Sequence, residues 1–88
     1  MESSEGPIQY PTDFPIKILG LNEAGFETAV TEVLRRHAPD LDLTGIEVRE
    51  SRAGKYLSIT ATVNAKSREQ LDDLYRALTS HPMVKVVL

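Results

Sequence analysis

From Tyr56 to Val63 the chain alternates without a break. Leu57, Ile59, Ala61 and Val63 fall on one parity, and Tyr56, Ser58, Thr60 and Thr62 on the other. Successive side chains of a strand point to opposite faces, so this pattern predicts a strand with one face against a core and the other turned away from it. One-sided burial of this kind belongs to antiparallel sheets covered by helices on a single side. The remaining sequence must then supply helices for the apolar side and strands to flank this one.

Two segments carry the helical period. Asn22 offers a capping side chain, Glu23 sets negative charge in a first turn, and Phe26, Ala29, Val30, Val33 and Leu34 recur along one stripe. Arg35, Arg36 and His37 place positive charge where the helix dipole favours it, and Pro39 forbids continuation. Further on, Ser67 with Gln70 three residues later forms a capping box ahead of Leu71, Leu74, Tyr75 and Leu78, and Pro82 closes that helix.

Strand patterns fill the gaps. Phe14, Ile16 and Ile18 recur at period two, Leu19 extends the run and Gly20 ends it. Ile46 and Val48 alternate with Glu47 and Arg49 and join the Leu57 run as a hairpin. Its connection, Ser51 to Lys55, is too long for a two-residue turn, and Gly54 supplies the positive φ that longer connections use. Met83 to Leu88 form a closing strand, where the preceding Pro82 suits an edge. The order βαββαβ with right-handed crossovers predicts an α+β, ferredoxin-like sandwich: a four-stranded antiparallel sheet with both helices on one face.

The chain of 88 residues has room for one such domain. Residues 14–88 are expected to form it. Residues 1–13, with only Ile8 and Tyr10 able to pack, are expected to be a flexible N-terminal tail, docked through Tyr10 and Pro11. The start has neither a basic region nor an apolar run, and no stretch has the roughly 18 apolar residues of a membrane span, so the expected location is the cytoplasm.

Groups for catalysis are scarce. The absence of cysteine removes disulfides, thiolate nucleophiles and cysteine metal sites together. The two histidines, His37 and His81, lie at the ends of different helices, away from any activated hydroxyl. Asp72 and Asp73 are adjacent, so on a helix they diverge by about 100° and share neither a proton nor a metal. No phosphate-loop, dinucleotide or calcium-loop motif occurs. No catalytic residue, metal ligand or cofactor is expected, and the chain reads as a non-enzyme.

Two surfaces remain as candidates for binding. In the first βα connection, Asn22, Glu23 and Gly25 precede the free amides of a helix, where a small carboxylate effector finds donors; the alternative is that Asn22 only caps the helix and Gly25 permits close approach to the sheet. The uncovered sheet face presents Leu19, Tyr56, Ser58, Thr60 and Thr62, with Met83 and Val87 as further candidates, and suits a protein partner or a second copy of the chain. A third class is RNA binding on the same face, with Tyr56 stacking bases beside Arg49, Arg52 and Lys55. The net charge of −3 and a lone aromatic disfavour nucleic acid.

The residues also carry a resemblance. Tyr10-Pro11, Phe14, Lys17, Gly20 and His37-Ala38-Pro39 resemble the small bacterial YbeD-like proteins. So do Ser51, Gly54, Tyr56, Ser58, Thr62, Asn64-Ala65, Glu69-Gln70, Leu74-Tyr75, Leu78 and Val87-Leu88. The resemblance implies a fold similar to ACT regulatory domains, which bind amino acids or other small effectors, often at subunit interfaces. Some members of the family bear the label of lipoate regulatory protein, which implies a link to lipoate metabolism. Asn22-Glu23-Ala24-Gly25 resembles the Asp-x-x-Gly turn at which ACT domains hold ligands, with Asn in the place of Asp. The resulting expectation is a regulatory or adaptor module that binds a protein partner or a small effector.

Overall fold

A computed structural model describes residues 9–88. The elements run β1 (Thr12–Leu21), α1 (Phe26–His37), a 3-10 turn (Leu43–Gly45), β2 (Glu47–Glu50), β3 (Tyr56–Ala65), α2 (Arg68–Thr79) and β4 (Val84–Val87). The four strands form one antiparallel sheet in the order β2-β3-β1-β4. This is the βαββαβ, ferredoxin-like architecture that the alternation and the two helical stripes predict. No helix of the described residues is long and apolar enough to cross a membrane.

The core lies between the helices and one face of the sheet. Leu57, Ile59, Ala61, Val63 and Ala65 of β3 and Ile16 and Ile18 of β1 are buried on one parity against Phe26, Val30 and Leu34 of α1 and Leu71, Leu74 and Leu78 of α2. Each large aliphatic or aromatic side chain so buried contributes about 1.5–3 kcal/mol against the cost of ordering the chain. Among the described residues, every buried residue is apolar.

β1 is longer than its own apolar pattern. It pairs with β3 over its full length, from Thr12↔Ala65 to Leu21↔Tyr56, so strand begins two residues inside the stretch expected to be tail. Thr12 and Asp13 are strand because β3 offers them partners, and the Asn64 side chain donates to Asp13 Oδ1 at 2.9 Å. Tyr10, after which the Tyr10-Pro11 peptide is cis, packs against the core. The expectation for the first eight residues lies outside the described residues.

Pro15 sits in a central strand, where proline is normally excluded. Lys17 exchanges both backbone hydrogen bonds with Leu88, at 3.1 and 2.8 Å, so odd-numbered residues of β1 direct their backbone groups toward β4. The nitrogen of Pro15 therefore faces away from β3, on a side where, among the described residues, no strand pairs with it.

Gly20 marks the tightest approach in the sheet. The register with β4 shifts between Leu19 and Gly20, and a Cβ on Gly20 would collide with the Met83 carbonyl oxygen and the Phe26 ring. Only glycine leaves room for both the bulge and the aromatic at the start of α1.

The caps differ at the two helices. Ser67 Oγ accepts from the Gln70 amide at 3.1 Å, as the capping box requires. The Gln70 side chain accepts from the Lys66 amide at 2.6 Å and donates to the His37 carbonyl at 2.9 Å, fastening the start of α2 to the end of α1. At α1 the expected cap is absent: Gly25, at φ 90°, occupies the N-cap position without a side-chain bond, and Asn22 turns elsewhere. Gly25 also lacks the close-approach role considered for it, because nothing lies within 4 Å of a Cβ built there; its left-handed φ is what calls for glycine.

Lys66 adds a second clamp between the layers. Its ammonium donates to Asp40 Oδ2 at 2.7 Å and to Asn64 Oδ1 at 2.8 Å. That hydrogen bond first, and the charge of Lys66 second, hold the Asp40 carboxyl below its ordinary 3.8.

Gly20→Ala is expected to destabilise the fold by about 2–3 kcal/mol through forced displacement of Phe26 or the bulge, read as a lower urea midpoint at unchanged slope. Because the folded-state pKa of Asp40 is depressed, its contribution to stability is present above the unfolded value near 3.8 and is lost as pH falls through the lowered folded value. Asp40→Asn is expected to remove that part of the acid dependence, so that the two proteins differ less at the acid end of a series of urea melts than at neutral pH.

Candidate functional site

Register determines which residues occupy the face that the helices leave bare. The row Arg49–Ser58–Leu19–Val86 crosses all four strands, and Glu47–Thr60–Lys17 runs beside it and continues to Leu88 through the Lys17 backbone bonds. Tyr56 stands at one end of β3, 43% exposed, with the Lys55 ammonium 5.6 Å from its ring centroid. At the opposite end Thr62 pairs with Pro15 and is exposed. Leu19, Tyr56, Ser58, Thr60 and Thr62 therefore share one face, as the alternation predicts.

The two further apolar candidates from the closing strand do not. Val87 pairs with Ile18 and turns inward, and both Val87 and Met83 pack against the core. Their places on the open face are taken by Val86 and Leu88, 44% and 66% exposed. The pairing of Val86 with Leu19 and Val87 with Ile18 sets this parity, and no local pattern in the run Val84 to Leu88 fixes it.

Two adjoining depressions mark the face. One, of about 320 Å³, is lined by Lys17, Glu47, Arg49, Ser58 and Thr60. The other, of about 170 Å³, adds Leu19 and Tyr56 and shares Arg49 and Ser58 with the first. Among the described residues neither Lys17 nor Arg49 belongs to an ion pair. Lys17 and Glu47 escaped the sequence reading of this face, and Arg49 entered it only as part of a basic hairpin tip. Their parity was the available signal, since Lys17 alternates with Ile16 and Ile18, and Glu47 and Arg49 alternate with Val48.

The first βα connection is held by the hairpin beside it. Asn22 donates its backbone N–H to the Lys55 carbonyl at 2.9 Å and its side-chain amide to the Gly54 carbonyl at 3.0 Å. Gly54, at φ 74°, closes the turn by donating to the Ser51 carbonyl at 2.8 Å, and Ser51 Oγ accepts from the Tyr56 amide at 3.0 Å. Asn22, Glu23 and Gly25 are all exposed. Loop and face are thus joined: Asn22 secures the tip from which Lys55 reaches over Tyr56.

The family described as "Protein of unknown function (DUF493)" matches residues 5–88. The chain belongs to this family. A UPF0250 protein of Nitrosomonas europaea is 52% identical over 86 residues, covering 98% of this chain and 99% of that one. A UPF0250 protein of a Janthinobacterium species is 53% identical over 88 residues, covering 100% and 97%. These are the YbeD-like relatives that the sequence resembles. Among solved structures, the ACT domain from GTP pyrophosphokinase of Chlorobium tepidum superimposes with a TM-score of 0.67 at 20% identity, over 86% of this chain and 84% of that one. Protein HP0495 from H. pylori reaches 0.71 at 13% identity, over 99% and 91%. The DUF493 chain accordingly has an ACT-like fold.

Asn22→Ala is expected to leave the sheet intact while loosening the hairpin tip. Amide exchange at Gly54 to Tyr56 should accelerate about tenfold, the loss of roughly one hydrogen bond, with little change in the central strands.

Proposed function

We propose that this DUF493 chain is a non-catalytic regulatory module that acts by binding a protein partner on the bare face of its sheet. The observation that carries the reading is the composition of that face: exposed Tyr56, Val86 and Leu88 beside Leu19, next to a depression holding Lys17, Glu47 and Arg49. Aromatic and aliphatic anchors bordered by charge are what a protein surface recognises. Lys17 and Arg49 favour an acidic residue on the partner, set beside an apolar one that meets Leu19 and Tyr56.

One comparison supports a regulatory role: the solved domain of like fold is the ACT domain from a GTP pyrophosphokinase. The YbeD-like resemblance makes enzymes of lipoate metabolism the first baits to test. A small effector held at Asn22, Glu23 and Gly25 is the second reading, favoured by the ACT-like fold; the Asn22 side-chain amide gives one N–H to Gly54 and has a second to offer. RNA binding gains less support, since Tyr56 is the aromatic among the open-face candidates and β1 sets Leu21 opposite it, with Leu19 and Lys17 opposite Ser58 and Thr60.

Tyr56→Ala and Thr60→Arg are expected to leave thermal unfolding nearly unchanged, both positions being outside the core, while each abolishes co-purification of a partner from cell extract. Retention of the partner by both variants would reject this face. Titration with free amino acids, lipoate and octanoate to millimolar concentration, followed by backbone amide shifts, tests the effector reading: movement confined to Asn22–Gly25 would favour it, and silence there would remove it.

A further inference from the structure

The bare face of the sheet is not flat. Along β3, Ser58 and Thr60 are half-buried, whereas Glu47 and Arg49 on β2 and Lys17 on β1 stand exposed on either side of them. Small side chains between rows of longer ones leave a groove that follows β3, floored by Ser58 and Thr60. β2 begins at Glu47, opposite Thr60, so one wall ends there, and the exposed ring of Tyr56 stands at the other end. The two depressions of the face are successive stations of this groove, sharing Arg49 and Ser58.

Width selects the conformation of an occupant. β1 and β2 are second neighbours across β3, about 9.6 Å apart between backbones, and the side chains of both walls narrow the space between them. An α-helix with its side chains is roughly 10–12 Å across and does not fit inside. An extended segment does, by lowering alternate side chains into the groove. Two residues of such a segment span about 6.6 Å, which is also the separation of the Arg49–Ser58–Leu19 row from the Glu47–Thr60–Lys17 row, because sheet and segment share one rise per residue. Side chains two positions apart therefore meet successive stations.

The stations differ in chemistry. The smaller, about 170 Å³, sets Leu19 and the Tyr56 ring beside Ser51 and Ser58 and suits an apolar side chain. The larger, about 320 Å³, brings Lys17 and Arg49 together with the single carboxylate of Glu47. Two cations against one anion favour an acidic side chain there.

We infer that this groove takes an extended segment of the partner in which an apolar residue and an acidic residue stand two positions apart. The inference rests on the reading of the bare face as a partner surface, and adds to it the form and chemistry of what docks there.

Titration of the isotope-labelled full chain with blocked nine-residue peptides, followed by backbone amide shifts, tests it. The peptides are serine and glycine apart from one leucine and one aspartate, set two positions apart or, as controls, one or three apart. The two-apart peptide should move Lys17, Leu19, Ser58 and Thr60 and saturate with a Kd on the order of 1 mM, the controls binding about fivefold more weakly or worse. Lys17→Glu should lose a similar factor and should prefer a peptide with lysine in place of the aspartate. Arg36→Glu, the same change of charge on α1 in the helical layer, should bind as the original does. Equal affinity at all three spacings, no saturation up to about 10 mM, or unchanged binding by Lys17→Glu would each overturn the inference. So would groove shifts that follow protein concentration without peptide, which would make a second copy the occupant. Where the peptides fail but Tyr56→Ala still strips a partner from the chain, the face remains a partner surface and only the inferred segment is rejected.

Discussion

The antiparallel pairing of β1 with β3 is what the rest of the molecule is arranged around. It joins the two longest strands along their whole length, and its parity decides at once which residues meet the helices and which face away. A slip of β1 by one residue along β3 would send Ile16 and Ile18 outward and Lys17 inward, setting a charged group against the core face of β3. The pairing is therefore fixed by its own consequences. Thr12 and Asp13 adopt strand geometry because β3 is continuous beside them, and Pro15 is admitted because its nitrogen faces away from β3.

Gly20 transmits that register to the helical layer. With no side chain, it lets the Phe26 ring lie directly over β1 and lets β4 shift by one residue. The same shift brings Val84 inward, on the side of Val87, while Val86 and Leu88 face outward opposite Leu19 and Lys17. A domain of this size has a small core, so a contact that aligns three elements carries a large share of its order.

Features encoded by neighbours a few residues apart were legible in the sequence. The Leu57–Val63 alternation, the capping box of Ser67 and Gln70, the stripe Leu71, Leu74, Leu78 and the positive φ of Gly54 each declare a local geometry, and together they specify the fold. What stayed hidden depends on distant partners. Asn22 has the chemistry of a cap, yet its amide reaches Gly54, 32 residues away in sequence, and the cap position falls to Gly25. Val84 to Leu88 is apolar at nearly every position, so nothing within it distinguishes inward Val87 from outward Val86. Five of the candidate residues on the face were readable because β3 and β1 alternate; Lys17 and Glu47 became part of it only when the register set them beside Thr60.

The two candidate surfaces are not independent. Asn22, in the first βα loop, holds the carbonyls of Gly54 and Lys55, and Lys55 in turn lies over Tyr56 at the edge of the open face. Both bonds are exposed to solvent, so each is worth only about 1 kcal/mol net, and either can be exchanged for a bond to a ligand at small cost. A group that competes for the N–H that Asn22 gives to Gly54 would release Gly54. Freed of that tether, the hairpin tip gains conformational freedom, and Tyr56 loses the fixed position of its cationic neighbour. Were a ligand to occupy the loop in this way, its binding and the shape of the face would be coupled through this side chain, and equally in the other direction.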